Sequence, residues 1–321
     1  MTVSTTTLLD LAKRKVADTE VGLIDETARA TPEVSGINLL TGQQVNNLGA
    51  AKTIRDTIYK TRVRTGLPTV GFRDVNTGTP YTKQTTENRV VSCQLMNPRW
   101  GADKGLNGFD QNLREELAEN AEAHLMAAFQ QIGKSFYYGK RTTYGGSAKS
   151  FPGLLDAVTS DFVVDATGST ADEASSVWVI CMGRQDVRWV LGNDGQFEIT
   201  PVQERDATDD DGNPYTILMQ ELFAHVGVQV ASTQSVARIK NLTAQTGKGL
   251  TTQLLRSAFT SLANVGKFPT AVMMSPRSYE QYENHLESLS VVPSEAGKMG
   301  FRGVPFVMTN SISDVEAIDL A

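Results

Sequence analysis

The side chains best suited to chemistry are dispersed along this 321-residue chain. The three histidines, His124, His225 and His285, lie far apart. None belongs to an i, i+4 pair with an intervening Glu, which would aim two imidazoles at one zinc. His124 borders the apolar stripe of a helix and His285 sits on a surface helix, so packing accounts for both. Gly145-Gly146-Ser147-Ala148-Lys149 lacks the second glycine of a nucleophile elbow. Gly247-Lys248-Gly249 lacks the upstream glycine and the Ser/Thr after lysine of a phosphate loop. The acidic run from Asp206 through Asp209, Asp210 and Asp211 to Gly212 invites a calcium reading. Setting Gly212 at the loop's sixth position puts Ala207 at the first and Leu218 at the twelfth, where oxygen ligands are required. Asp211-Gly212-Asn213-Pro214 reads instead as a hairpin turn. Cys93 and Cys181 are too few and too distant for a disulfide framework or a zinc site, and fit a reducing cytoplasm. No cofactor, metal or catalytic set is expected.

One constellation remains, in the segment from Lys60 to Met96. Arg62, Arg64, Arg73, Lys83 and Arg89 alternate with polar and β-branched residues, accompanied by Asp74 and Glu87. A nucleic-acid ribbon is one reading, with Phe72 and Tyr81 as the only stacking aromatics. Charges of both signs suit docking against protein better, because complementary charges fix register and reject wrong partners. These seven residues are the candidate inter-subunit contacts.

The elements that position them follow from periodicity. Residues 60–96 predict a two-stranded hairpin turning at Asn76-Thr77-Gly78. Arms of about 15 residues reach roughly 50 Å at ~3.3 Å per residue. An isolated ribbon is marginal in water, so something must cover it; a surface loop is the alternative. Upstream, Thr6 or Thr7 can cap a helix from Leu8, Pro32 stops any continuation, and Ser35 to Ala50 reads as loop. Downstream, Leu113, Leu117, Ala121, Leu125, Ala128, Phe129 and Ile132 mark one stripe of a helix over 109–132, with Asp110 as its cap. Short strands are expected at Ser176–Met182, Asp186–Leu191 and Phe197–Val202. A long pair follows the acidic turn, in which Val236–Leu242 alternates as a half-buried strand does. The last block reads helix (Leu250–Val265), strand (Thr270–Met274), helix (capped by Ser275, to about Leu289) and strand (Gly303–Thr309).

Composition narrows the class. Hydrophobic residues are 40% and charged residues 21%, which provides for a core and excludes a disordered chain. Net charge is −6, a poor balance for a dedicated DNA-binding surface. No apolar run approaches the ~20 residues that span a bilayer, and Met1-Thr-Val-Ser-Thr5 does not open a secretory signal. An arm and a ribbon without cores of their own are ordered by neighbouring copies, which points to a self-assembling structural protein. Two other classes stay open: an enzyme using the C-terminal α/β block, and a nucleic-acid-binding ribbon.

The order arm, hairpin, long helix resembles tailed-bacteriophage major capsid proteins of the Hong Kong 97-like fold. Phe151-Pro-Gly-Leu-Leu155, after the helix and a glycine-rich loop, is similar to a phrase of that class. So are Val272-Met-Met-Ser-Pro-Arg-Ser-Tyr279 and the strand within Phe301-Arg-Gly-Val-Pro-Phe-Val-Met-Thr-Asn-Ser-Ile312. Val226-Gly-Val-Gln-Val230 with Val236–Leu242 looks like the long peripheral strands of a subgroup whose axial domain comes last. The resemblance implies an α+β fold in four parts: an N-terminal arm (1–60), an extended loop (61–106), a peripheral domain (107–247) with a spine helix (109–133), and an axial domain (248–321). It implies a non-catalytic subunit of the virion, forming hexamers and pentamers of an icosahedral shell around double-stranded DNA, without sequence-specific contacts or a membrane. Its implied partners are copies of itself, a separate scaffolding protein, a portal protein and a cement or decoration protein, with assembly in the host bacterial cytoplasm. Some relatives cross-link the extended loop through a lysine; Lys83 lies on it, but no partner is identifiable and no cross-link is expected.

Overall fold

The computed structural model describes residues 27, 29–108, 113–289 and 299–318. The predicted helix from Leu8 and the cap Asp110 lie outside the described residues. Two mixed sheets carry the fold, and a separate two-stranded hairpin stands beside them.

One strand of 17 residues, Pro214–Val230, organises the seven-stranded sheet. Gln203–Thr208 and Arg99–Asp103 flank its first half from opposite sides, and Val187–Leu191 and Gln94–Met96 flank its second half. The acidic turn connects Gln203–Thr208 to this strand as a hairpin. There Asp209 accepts the amides of Asp211 and Asn213. The Asn213 amide, above all, holds that exposed carboxyl below its ordinary range.

The six-stranded sheet runs Gly300–Phe301, Val304–Met308, Ala271–Met274, Ser175–Ile180, Val236–Leu242, Val163–Asp165. Its central strand is buried throughout because both faces are covered. Val177 and Val179 meet the helices Thr252–Asn264 and Pro276–Ser288 through Leu255, Ala258, Phe259, Leu262, Tyr282 and Leu286. Thr251 and Ser275 cap those two helices with their hydroxyls, as the second was expected to be. Trp178 and Ile180 turn the other way, toward the long helix.

That helix, Leu113–Tyr138, continues six residues beyond the predicted Ile132. Its last turns are its most buried: Phe136, Tyr137 and Tyr138 are fully enclosed. Phe136 packs on Trp189 of the seven-stranded sheet at 4.9 Å between ring centroids, and Tyr137 on Trp178 of the six-stranded sheet at 6.0 Å. The Tyr137 hydroxyl also reaches Met273 Sδ at 2.8 Å. Gly139, at φ +56°, stops the helix in the left-handed conformation that favours glycine. The chain returns through Phe151-Pro-Gly-Leu-Leu155, whose Phe151, Leu154 and Leu155 are buried. Here Gly153 lies so close to the Tyr137 carbonyl that a Cβ would stand 2.7 Å from its oxygen.

Three expectations are corrected. Val236–Leu242 does not pair with Pro214–Val230. It belongs to the six-stranded sheet, buried on both faces, beside Ser175–Ile180. Its misleading polar residue, Arg238, is buried because its Nη2 meets Glu316 Oε2 at 3.1 Å and its guanidinium lies over Trp178. A boundary at 247/248 therefore falls between strands of one sheet. Pro32, expected only as a stop, starts a helix, Pro32–Ser35, since a proline at the first position lacks only an amide that would go unpaired anyway. From there to residue 57 the chain is not a detached arm. Leu48 is fully buried, Asn38 Nδ2 donates to the Phe306 carbonyl at 2.7 Å, and Ala51–Thr53 pairs in parallel with Val187–Leu191.

The Arg238–Glu316 pair also takes hydrogen bonds from Tyr138 and Ser176 at 2.5 and 2.6 Å. Removing one partner strands the other charge in the core. Glu316→Ala is expected to lower unfolding free energy by roughly 3–5 kcal/mol, read from the urea midpoint of the purified subunit; a loss within ~0.5 kcal/mol contradicts the pairing.

Candidate assembly interface

The hairpin stem pairs Ile58–Gly66 with Thr85–Ser92, from Ile58 opposite Ser92 to Gly66 opposite Thr85. Its arms are nine and eight residues, roughly 30 Å at ~3.3 Å per residue, shorter than the predicted 15. Pro68 and Pro80 stand just beyond the ladder, and proline has no amide to donate to it. The tip, 67–84, is held locally instead. Asn76 takes φ +68°, Arg73 Nη1 donates to the Thr77 carbonyl at 2.6 Å, and Thr82 Oγ1 donates to Thr69 at 2.9 Å. The turn thus sits where Asn76-Thr77-Gly78 predicted it.

Alternation divides the stem into two faces. Tyr59, Thr61, Val63, Arg89 and Val91 point to one side and are half-buried. Lys60, Arg62 and Arg64 point to the other, all exposed. Two arginines fix the root. Arg188 Nη2 donates to the Tyr59 hydroxyl at 2.7 Å while its guanidinium lies 5.5 Å from that ring's centroid. Arg89 Nη1 donates to the Ala231 carbonyl at 2.9 Å.

The seven candidate contacts therefore separate. Arg89 is bound to the body of its own chain. Arg62 bonds Thr86 Oγ1 across the ladder, and Arg73 braces the tip. The side chains of Arg64, Asp74, Lys83 and Glu87 have no partner among the described residues. Around them Leu67, Val70, Phe72, Val75 and Tyr81 are exposed, Phe72 and Tyr81 completely. From Ile58 to Ser92 the chain carries six basic residues against two acidic ones. A projection this apolar is unusual on a lone subunit.

A second surface has the opposite character. Phe197, Ile199 and Val202 are exposed on the segment leading into Gln203–Thr208, which ends the order of the seven-stranded sheet. Between residues 197 and 211 there are six acidic residues and one arginine. Glu198 has no partner among the described residues, while Glu204 pairs with Lys104 at 2.8 Å. Sequence reasoning used the acidic run only as a turn and missed this edge; the clue was an acidic strand carrying Phe197, Ile199 and Val202. Arg188 was missed as well, since nothing local distinguishes it from any strand arginine.

The remaining polar residues are structural. His124 stacks on Trp100 at 4.9 Å, and His285 Nε2 lies 3.2 Å from Thr252 Oγ1. Both cysteines are free and buried. Burial pushes the Cys181 thiol up to about 12, so it is not ionised at neutral pH. Among the described residues no group of three or more His, Cys, Asp or Glu could hold a metal ion. Among the same described residues no helix is long and apolar enough to cross a membrane.

The family model Major capsid protein GP7 matches residues 44–317. The chain belongs to this family. Among solved structures, a chain from the cryo-EM structure of bacteriophage epsilon15 superposes with a TM-score of 0.60 at 15% identity, covering 99% of this chain and 98% of that one. A chain of Mycobacterium phage Adephagia gives 0.47 at 10% identity over 74% of this chain and 98% of its own. One from the capsid of Myoviridae phage XM1 gives 0.45 at 12% over 71% and 98%. No curated protein sequence matches. The fold is thus the α+β, Hong Kong 97-like fold of phage capsids. This major capsid protein is a structural component of the virion shell and associates with copies of itself.

The root geometry makes a direct prediction. Arg188→Ala releases the Tyr59 hydroxyl and is expected to speed amide exchange at 58–61 and 90–92 while costing the whole fold no more than about 1–2 kcal/mol. Unchanged exchange at those amides contradicts a root held by Arg188.

Proposed function

We propose that this capsid protein assembles through hexamers and pentamers into an icosahedral shell around double-stranded DNA, with the hairpin of each copy lying along the acidic edge of the next. The supporting observation is complementarity within one chain: a basic, apolar-tipped projection, and an acidic strand at the sheet's end beside which Ile199 and Val202 are exposed. A projection from one copy that fits a different surface of the next is a heterologous contact, and repeated rotation closes it into rings. The net charge of −6 suits an interior that holds DNA without gripping its phosphates.

The proposed division of labour follows the sheets rather than a cut at 247/248. The six-stranded sheet with its two helices forms the axial part, and the seven-stranded sheet with the long helix forms the peripheral part. The extended loop is the hairpin 58–92, and the arm is the chain before Pro32. Strands Gln94–Met96 and Arg99–Asp103, within the expected loop 61–106, go with the peripheral sheet. The subunit works without catalysis. It assembles in the host bacterial cytoplasm around a separate scaffolding protein, with a portal protein at one vertex and a cement or decoration protein on the finished shell.

Two experiments separate the parts of this reading. Deleting residues 67–84 should leave a cooperative thermal transition, because that segment adds almost nothing to the core, yet abolish shells in negative-stain electron microscopy. Shells from the deletion variant overturn the hairpin's role. Glu198→Lys with Asp206→Lys should also block assembly, and Arg62→Glu with Arg64→Glu in the same chain should restore it. If the hairpin is needed but these reversals are silent, it docks on another surface.

A further inference from the structure

Residues 30–33 and 309–311 meet at a buried carboxylate outside the hairpin and the acidic edge. Glu33, in the one-turn helix Pro32–Ser35, is fully enclosed. Its carboxyl oxygens take hydrogen bonds from the hydroxyls of Thr309, at 2.8 Å, and Ser311. Its backbone carbonyl accepts from Trp189 Nε1 at 2.8 Å. The long helix passes so near that a Cβ at Gly133 would overlap both the Glu33 carboxyl and the Ser311 hydroxyl. One residue further on, the Asn310 amide donates to the Ala30 carbonyl at 3.2 Å. Glu33 therefore seals the junction between the root of the N-terminal segment, the long helix and the C-terminal segment.

Among the described residues no cation forms an ion pair with it. The titratable groups around it are Tyr137, from the long helix, and Arg29, Lys134 and Asp314, which line an adjoining cavity of about 270 Å³ with Gln130 and Asn310. None of these forms an ion pair with Glu33. An ionised carboxylate enclosed with two hydroxyls and its own backbone amide as donors, and no ion pair among the described residues, is held at high cost, whereas a protonated one can donate to one hydroxyl oxygen and accept from the other. Glu316, equally buried, shows the contrast: it faces Arg238.

We propose that Glu33 is a proton-operated clasp, which holds Pro32–Ser35 against the long helix and the C-terminal segment when protonated and loosens that junction when ionised. The proton leaves to water through the adjoining cavity. Burial raises the Glu33 carboxyl from 4.5 to about 7, against the lowering effect of its hydrogen bonds. The sign follows from linkage. An acid whose value is raised in the closed state favours that state at low pH. The clasp weakens as pH rises from about 4.5 toward 7, and the loss is complete above that. In a shell, proton concentration would then set how firmly the chain before Ala30 is anchored to its subunit.

The test is hydrogen exchange on the purified full-length chain, corrected for the intrinsic pH dependence of exchange. Amides of Val34, Ser35 and Gly36 should lose protection by a factor on the order of 50 between pH 5 and pH 8. Glu33→Gln should abolish that pH dependence. Thr309→Val, which removes a donor to the carboxylate, should move the midpoint of the change to higher pH and serves if Glu33→Gln does not fold. Equal protection of the wild type at the two pH values overturns the clasp. So does a Glu33→Gln variant with the wild-type pH response, or a Thr309→Val variant with an unmoved midpoint.

Discussion

The last two turns of the long helix are the wedge on which this subunit depends. Phe136 faces the seven-stranded sheet through Trp189, Tyr137 faces the six-stranded sheet through Trp178, and Ile132 joins the same core. One cluster therefore spans both sheets. An aromatic cluster at native packing density resists small displacements. The two sheets move as one body, and surfaces built on them keep fixed relative positions. That matters for a subunit that associates with copies of itself.

Two buried acids, Glu316 and Glu33, are worked into the same wedge. Glu316 reaches Tyr138 and Arg238 at the helix's end, and Glu33 closes over Gly133 five residues before it. The two buried acids solve burial differently. Glu316 faces the Arg238 guanidinium and is hydrogen-bonded by Tyr138 and Ser176. Among the described residues Glu33 has two hydroxyls and its own backbone amide. The first contact is an ion pair and the proposed clasp depends on a proton, so the two junctions would answer differently to pH.

Much of this was legible in the residues. The helices capped by Thr251 and Ser275, the turn at Asn76-Thr77-Gly78 and the acidic hairpin after Asp206 follow from local chemistry, and the structure has them. The errors have a common cause: the deciding partner lies far away in sequence. Val236–Leu242 alternates like a half-buried strand because Arg238 is polar, and only Glu316, 78 residues on, makes its burial tolerable. Pro32 reads as a stop until Thr309 and Ser311 supply the pocket for Glu33. The long helix outruns its stripe because both sheets enclose its end. At the interface, the hairpin and its exposed residues could be read from its poverty of core residues. The roles of Arg89 and Arg188 could not, because each is set by a contact across the fold.

The central claim is that the uncovered hairpin of one copy is completed by the acidic edge of another. A cryo-EM reconstruction of the assembled shell tests it most directly. The account predicts hairpin density from one subunit running along residues 197–208 of its neighbour, with Phe72 and Tyr81 covered. A shell in which the hairpin folds back on its own subunit, or leaves that edge open to solvent, would contradict it.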